Sequence, residues 1–241
     1  MKPTILRYLD HGELLQDTAT ILDVIAQPDG SCSVILDSTI FYPQGGGQPY
    51  DQGTITGPSG IITVKEVRVS DGIVSHSGSI TGTCAPHDLV SLALDKERRE
   101  FNSRNHTAGH IIDIALRNCG FAFPAVRGYH FKEGAYCEYA GTLNEEERAA
   151  LQKHLQDEVN RLVKQNLPVS IKIMGYEELK SLAGYVPETV AQGQQARAMI
   201  IEGYYPIPCG GTHAKTTDIG TLTIVKLRNK SGHVRISYDI T

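Results

Sequence analysis

The sequence predicts an α+β chain. A small N-terminal β-domain, barrel or sandwich, occupies residues 1–94, and a mixed domain of long helices and interleaved strands occupies residues 95–241. Three observations carry this. Short apolar segments of period two recur before position 95, separated by Gly, Pro, Asp and Ser. The composition then changes at Asp95 to a helical period. Finally, strand-like segments alternate with helical ones up to the C-terminus.

In the first part, Cys32–Leu36, Ile61–Val69 and Val90–Leu94 read as strands. Alternation is plain in Ile62, Val64, Val67 and Val69, then in Val90, Leu92 and Leu94. The stretch Ser75–Pro86, rich in Gly, Ser and Thr, reads as a loop. From Asp95 to Cys119, Phe101, Ala108, Ile112, Ala115 and Cys119 share one side of a helical wheel, and Gly120 supplies the stop. A second helix is expected over Asn144–Asn166. Thr142 with Glu145 resembles a capping box, Leu151, Leu155, Val159 and Leu162 form the buried stripe, and Pro168 marks the end. Strands are expected at Tyr129–Tyr139, Val169–Met174 and Ala198–Ile201, and a hairpin over Thr221–Ile240 turning around Asn229–Gly232.

The chain has 241 residues, 40% hydrophobic and 21% charged, enough for real cores and against wholesale disorder. Its net charge of −4 excludes a general polyanion binder; a nucleic-acid partner would need a local basic patch. No apolar run approaches a membrane span, the N-terminus lacks a signal-peptide pattern, and five cysteines argue against a disulfide framework. A soluble, cytoplasmic protein is the expectation.

Four segments carry chemistry. In Asn105-His106-Thr107-Ala108-Gly109-His110, the two histidines are four apart on a helix, so they share a face with Cβ atoms about 5–6 Å apart. The wheel sets them opposite the apolar stripe, away from a core role on that face. In Pro208-Cys209-Gly210-Gly211-Thr212-His213, a thiol and an imidazole flank a glycine turn. Either pair alone could be incidental. Together they offer a His, His, Cys, His set, whose nitrogen and sulfur donors favour zinc over magnesium or calcium. The helical zinc-protease motif needs Glu directly after the first His; Thr107 stands there, so the protease base is missing.

The third segment, Phe41-Tyr42-Pro43-Gln44-Gly45-Gly46-Gly47-Gln48-Pro49-Tyr50-Asp51, could let a sugar-phosphate approach its backbone or be a plain turn. Its Gly46-Gly47-Gln48 also resembles the catalytic tip of translation release factors. Last, Lys226, Arg228, Lys230, His233 and Arg235, with Arg98, Arg99 and Arg104, could bind phosphate or cover a solvated sheet face. On a strand, Lys226 and Arg228 would alternate with Val225 and Leu227.

HTAGH and CGGTH, in this order and spacing, resemble the editing domain of alanyl-tRNA synthetase and its free-standing relatives, the AlaX family; the threonyl-tRNA synthetase editing domain is more distant. FYPQGGGQPYDQG resembles the glycine-rich motif of the β-domain in medium-length AlaX proteins, and IEGYYPIPCGGTHAKTTDIG and HVRISYDI fit the family's closing segment. The resemblance implies a β-barrel followed by a two-layer α/β editing domain. It further implies a trans-editing hydrolase cleaving Ser or Gly from mischarged tRNA(Ala), with no ATP and no membrane. The chain looks too short for the family's oligomerising C-terminal domain, and no aminoacylation module is visible.

The resemblance implies Zn2+ held by His106, His110, Cys209 and His213. Physically, four protein ligands close a shell, whereas catalytic zinc keeps a position open. Because Ser is larger than Ala and Gly smaller, size cannot exclude the correct amino acid; a hydroxyl-binding group can, and Thr107 is the candidate. Gly45, Gly46, Gly47 and Gln48 are assigned to the tRNA 3′ end, and His130 either lines the pocket or is a buried structural histidine. Two alternatives stay open: a non-catalytic zinc-stabilised tRNA-binding module, and a release-factor-like peptidyl-tRNA hydrolase.

Overall fold

A computed structural model of the chain describes residues 1–27, 30–183 and 192–241. They divide into two compact units: Met1–Gly45 with Pro49–Phe101, and Gly46–Gln48 with Asn102–Thr241. Composition changes at Asp95, whereas the contacts change after Phe101 and hand the tip of the glycine-rich segment to the second unit.

The first unit contains β1 (Ile5–Leu6), β2 (Gln16–Ala26), β3 (Ser31–Leu36), β4 (Ser38–Thr39), β5 (Gly53–Thr56), β6 (Gly60–Ser70), β7 (Ile73–Gly82) and β8 (Leu89–Leu94). Six of them close an antiparallel barrel in the order β2-β3-β7-β6-β5-β8. The alternating positions point inward: Val34, Leu36, Ile55, Ile62, Val64, Val90 and Leu92 fill the barrel.

The segment Ser75–Pro86, expected as a loop, is mostly strand β7. Its serines face away from the core while Val74, His76 and Gly78 turn inward. At Gly78 a Cβ would lie 1.9 Å from the carbonyl oxygen of Thr63, so glycine marks close strand packing there and not a break. His76 is fully buried; its Nδ1–H donates to Val34 O at 3.1 Å and its Nε2 accepts from Thr39 Oγ1 at 2.8 Å. Burial holds it down at about 4, so it is neutral at pH 7. Arg99 and Asp51 form a buried pair, and Arg99 also donates to Gly12 O and Ile40 O.

α1 (Lys96–Asn118) follows β8. From Asn105 to Leu116 nearly every residue is buried, His106 and His110 included, so the face opposite the apolar stripe is covered as well. That stretch is covered on both faces because polar partners, not solvent, meet the second one. The second unit continues with β9 (Ala125–Tyr129), β10 (Tyr136–Ala140), α2 (Glu145–Lys164), β11 (Val169–Gly175), α3 (Tyr176–Ala183), β12 (Gln195–Ile201), β13 (Ile207–Pro208), β14 (Leu222–Lys230) and β15 (His233–Ile240). One sheet runs β14-β15-β10-β9 and another β11-β12-β13. The single strand expected at Tyr129–Tyr139 is instead two paired strands reversing through His130–Ala135. Gly134, at φ +74°, sits in that reversal.

The capping box of α2 is made by Asn144 and Glu147, not by Thr142 and Glu145. Asn144 has the extended backbone an N-cap requires, and the two side chains answer each other's amides at 2.8 and 2.9 Å. Leu151, Leu155, Val159 and Leu162 are its buried stripe, and Gln156 ties it to β14 through Leu222 O and Ile224 N.

A bulge between Ile224 and Lys226 puts Val225 on the exposed side beside Lys226, against the simple alternation expected. Arg235 is engaged, paired with Glu138 and lying over the Tyr136 ring, so it and Arg99 leave the set of cations available for phosphate. No helix among the described residues is long and apolar enough to cross a membrane.

Candidate metal centre

His106 and His110, one turn apart on α1, face Cys209 and His213 on the turn that follows β13. One ligand atom from each lies within 4.8 Å of the other three. The turn is set by β12: Cys209 N donates to Arg197 O at 3.0 Å, and Arg197 Nη1 donates to Cys209 O at 2.6 Å. Gly211 is required by space. A Cβ there would sit 2.2 Å from His106 Cε1 and 2.9 Å from Gln48 Oε1. A Cβ on Gly210 would meet nothing within 4 Å among the described residues.

Each histidine has its Nδ1 occupied from behind. His106 Nδ1 donates to Gln48 Oε1 at 2.8 Å, His110 Nδ1 to Asp113 Oδ2 at 3.1 Å, and His213 Nδ1 faces Thr107 Oγ1 at 3.4 Å. That arrangement sets the Nε2 atoms toward the cluster. Among the described residues, Nε2 of His110 and of His213 are buried without a hydrogen-bond partner, and His106 Nε2 lies 3.4 Å from the sulfur of Cys209. Orphaned imidazole nitrogens beside a thiol, each backed by an outer hydrogen bond, fit a zinc ion in donor type and number.

The electrostatics agree. Burial alone would raise the Cys209 thiol, but the imidazoles of His106, His213 and His110 pull it well below the ordinary thiol range. Burial disfavours charge on His110, yet the Cys209 sulfur and Asp113 raise it to about 10; His213 is held by burial at about 4.

Thr107 is fully buried; its hydroxyl donates to Ser103 O at 2.9 Å and accepts from Ala214 N at 3.0 Å, leaving one lone pair near His213. His130 is buried, its ring stacked on His106 with centroids 4.5 Å apart and its Nδ1 2.6 Å from Tyr238 Oη. Burial, then the neighbouring imidazoles, keep it neutral. Gly45 and Gly46 are exposed, Gly47 half-buried, and Gln48 buried. Asp113, Ser103 and Tyr238 were missed in the sequence; only Asp113 carried a signal, three residues after His110 on the same face.

A family profile described as tRNA synthetases class II (A) matches residues 12–98. Over 230 residues, 93% of the chain, it is 33% identical to the alanyl-tRNA editing protein AlaX-L of Pyrococcus horikoshii. It is 32% identical over 222 residues to an alanine–tRNA ligase of Methanothrix thermoacetophila, and 32% over 251 residues to that of Methanopyrus kandleri. The chain is a homologue of alanyl-tRNA editing proteins and alanine–tRNA ligases. It spans about half of the first (54%) and about a quarter of the ligases (23% and 26%).

Proposed function

We propose that the chain is an aminoacyl-tRNA deacylase that removes Ser or Gly from mischarged tRNA(Ala), within a two-layer editing fold like that of alanyl- and threonyl-tRNA synthetases. The observation that carries the reading is the cluster itself: three histidines with every Nδ1 occupied from behind, gathered around one cysteine sulfur. His106, His110, Cys209 and His213 would hold zinc. When bound, zinc supplies a Lewis acid able to polarise an ester carbonyl and to acidify water.

The protein's own groups do the rest. Asp113 and Gln48 hold the rings of His110 and His106 in register. His130, neutral and stacked on His106, backs the cluster and keeps water from that side. Thr107 is the candidate to answer a seryl hydroxyl, by giving up its 3.4 Å contact with His213 Nδ1 in exchange; an alanyl group has no hydroxyl to make that exchange. The exposed backbone of Gly45 and Gly46 accommodates the tRNA 3′ end. Exposed Lys226, Arg228 and Lys230 on β14 supply phosphate contacts.

The test is incubation of the protein with Ser-tRNA(Ala), Gly-tRNA(Ala), Ala-tRNA(Ala) and a peptidyl-tRNA, before and after chelation. Release of Ser or Gly, with Ala spared, supports the reading. Binding without hydrolysis would make the chain a tRNA-binding module, and cleavage of peptidyl-tRNA alone a release-factor-like hydrolase. Activity lost on chelation with the fold intact assigns zinc a direct role.

A further inference from the structure

We propose that Gln48 is a positioning residue for the metal, so that zinc retention by the α1 helix and the Cys209–His213 turn depends on the glycine-rich segment. The inference deepens the reading of the cluster as a zinc site and rests on it. It departs from the expectation that Gln48 touches the tRNA.

The carboxamide of Gln48 is fully buried and bonded on both ends. Its Oε1 accepts from His106 Nδ1 at 2.8 Å and from the Thr212 amide at 3.0 Å, which engages both lone pairs. Its Nε2 donates to Thr212 Oγ1 at 2.9 Å, and Thr212 Oγ1 lies 2.7 Å from Ser103 Oγ. The amide cannot be reversed, because the Thr212 N–H would then face another donor. An acceptor at that place forces the proton of His106 onto Nδ1 and leaves Nε2 unprotonated, its lone pair free, 3.4 Å from Cys209 Sγ. One side chain thus bonds both metal-bearing segments, 58 and 164 residues away.

Two glycines make the approach possible. Gly47, at φ +80°, would place a Cβ 2.4 Å from Gly128 O, and His130 N donates to Gly47 O at 2.8 Å. A Cβ on Gly211 would strike His106 and the Gln48 oxygen together.

The test uses the full chain, stripped of metal and titrated with zinc against a chromophoric chelator. Gln48→Met keeps the length and removes the hydrogen bonds; Gln48→Glu keeps both acceptor contacts. Loss of an outer-shell partner typically weakens metal binding about 10–100-fold. The Met variant should bind zinc at least about tenfold more weakly than wild type, and the Glu variant within about threefold of it. A Met variant less than about tenfold weaker overturns the proposal, as does a Glu variant no better than Met. If Gln48→Met fails to fold by circular dichroism, imidazole 15N NMR of the zinc-loaded wild type decides. His106 protonated on Nδ1 and metal-bound through Nε2 supports the proposal; coordination through Nδ1 overturns it. No readout involves tRNA: failure to hydrolyse mischarged tRNA leaves this result standing, while a wild type that takes up no zinc overturns both readings.

Discussion

Two adjacent glycines in the CGGTH turn should behave oppositely. At Gly211 the backbone φ suits any residue, so the effect of Gly211→Ala is steric. The new methyl would lie 2.2 Å from His106 Cε1 and 2.3 Å from Nδ1, against a normal carbon contact of about 3.5–4.0 Å. His106 must move by more than about 1 Å, and its bond to Gln48 Oε1 breaks. Overpacking costs about 1–3 kcal/mol and an unsatisfied buried group about 1–3 kcal/mol, giving roughly 2–6 kcal/mol of lost stability. Zinc affinity should fall about 10–100-fold because a ligand is displaced. Gly210→Ala meets nothing within 4 Å and should lie within about 0.5 kcal/mol of wild type. Urea unfolding and chelator competition on both variants check this. A Gly211→Ala protein with wild-type affinity and stability, or two variants with equal losses, would refute the reasoning.

Asp113→Ala removes the acceptor behind His110 Nδ1, and zinc affinity by competition titration should drop about 10–100-fold, with Asp113→Asn recovering part of it. Thr107→Val should narrow discrimination between Ser- and Ala-tRNA(Ala) by at least about tenfold in deacylation assays; an unchanged ratio removes Thr107 from substrate selection. His76 has its pKa lowered from 6.5 to about 4, so the unfolded chain protonates first as the pH falls. The barrel therefore keeps its full stability above about pH 6.5 and loses about 3 kcal/mol between pH 6.5 and 4. Urea midpoints at pH 7 and 4.5 should converge for His76→Gln relative to wild type.

The convergence of His106, His110, Cys209 and His213 was legible because both pairs are spaced for one helix face or one tight turn, a local property. What surrounds them was not, because it is assembled from distant segments. Gln48 looked like part of a substrate loop, and nothing in FYPQGGGQPYDQG says that its carboxamide bonds a histidine 58 residues on. The helical wheel set His106 and His110 opposite the apolar stripe but could not show that this second face is buried against polar partners, because amphipathicity marks only the apolar one. In Ser75–Pro86, small polar residues suggested a turn, but Gly78 is there for strand proximity to Thr63, which only pairing reveals. The α2 cap shifted by two residues since Asn144 has the extended φ and ψ that composition cannot show. Where local periodicity met one-sided burial, as in β6, β8 and the stripe of α2, reading and structure coincide.

Zinc K-edge X-ray absorption on the metal-loaded protein addresses the four-ligand cluster most directly. One sulfur at about 2.3 Å with nitrogens at about 2.0–2.1 Å is the expected shell. A shell without sulfur, or with two, would contradict it.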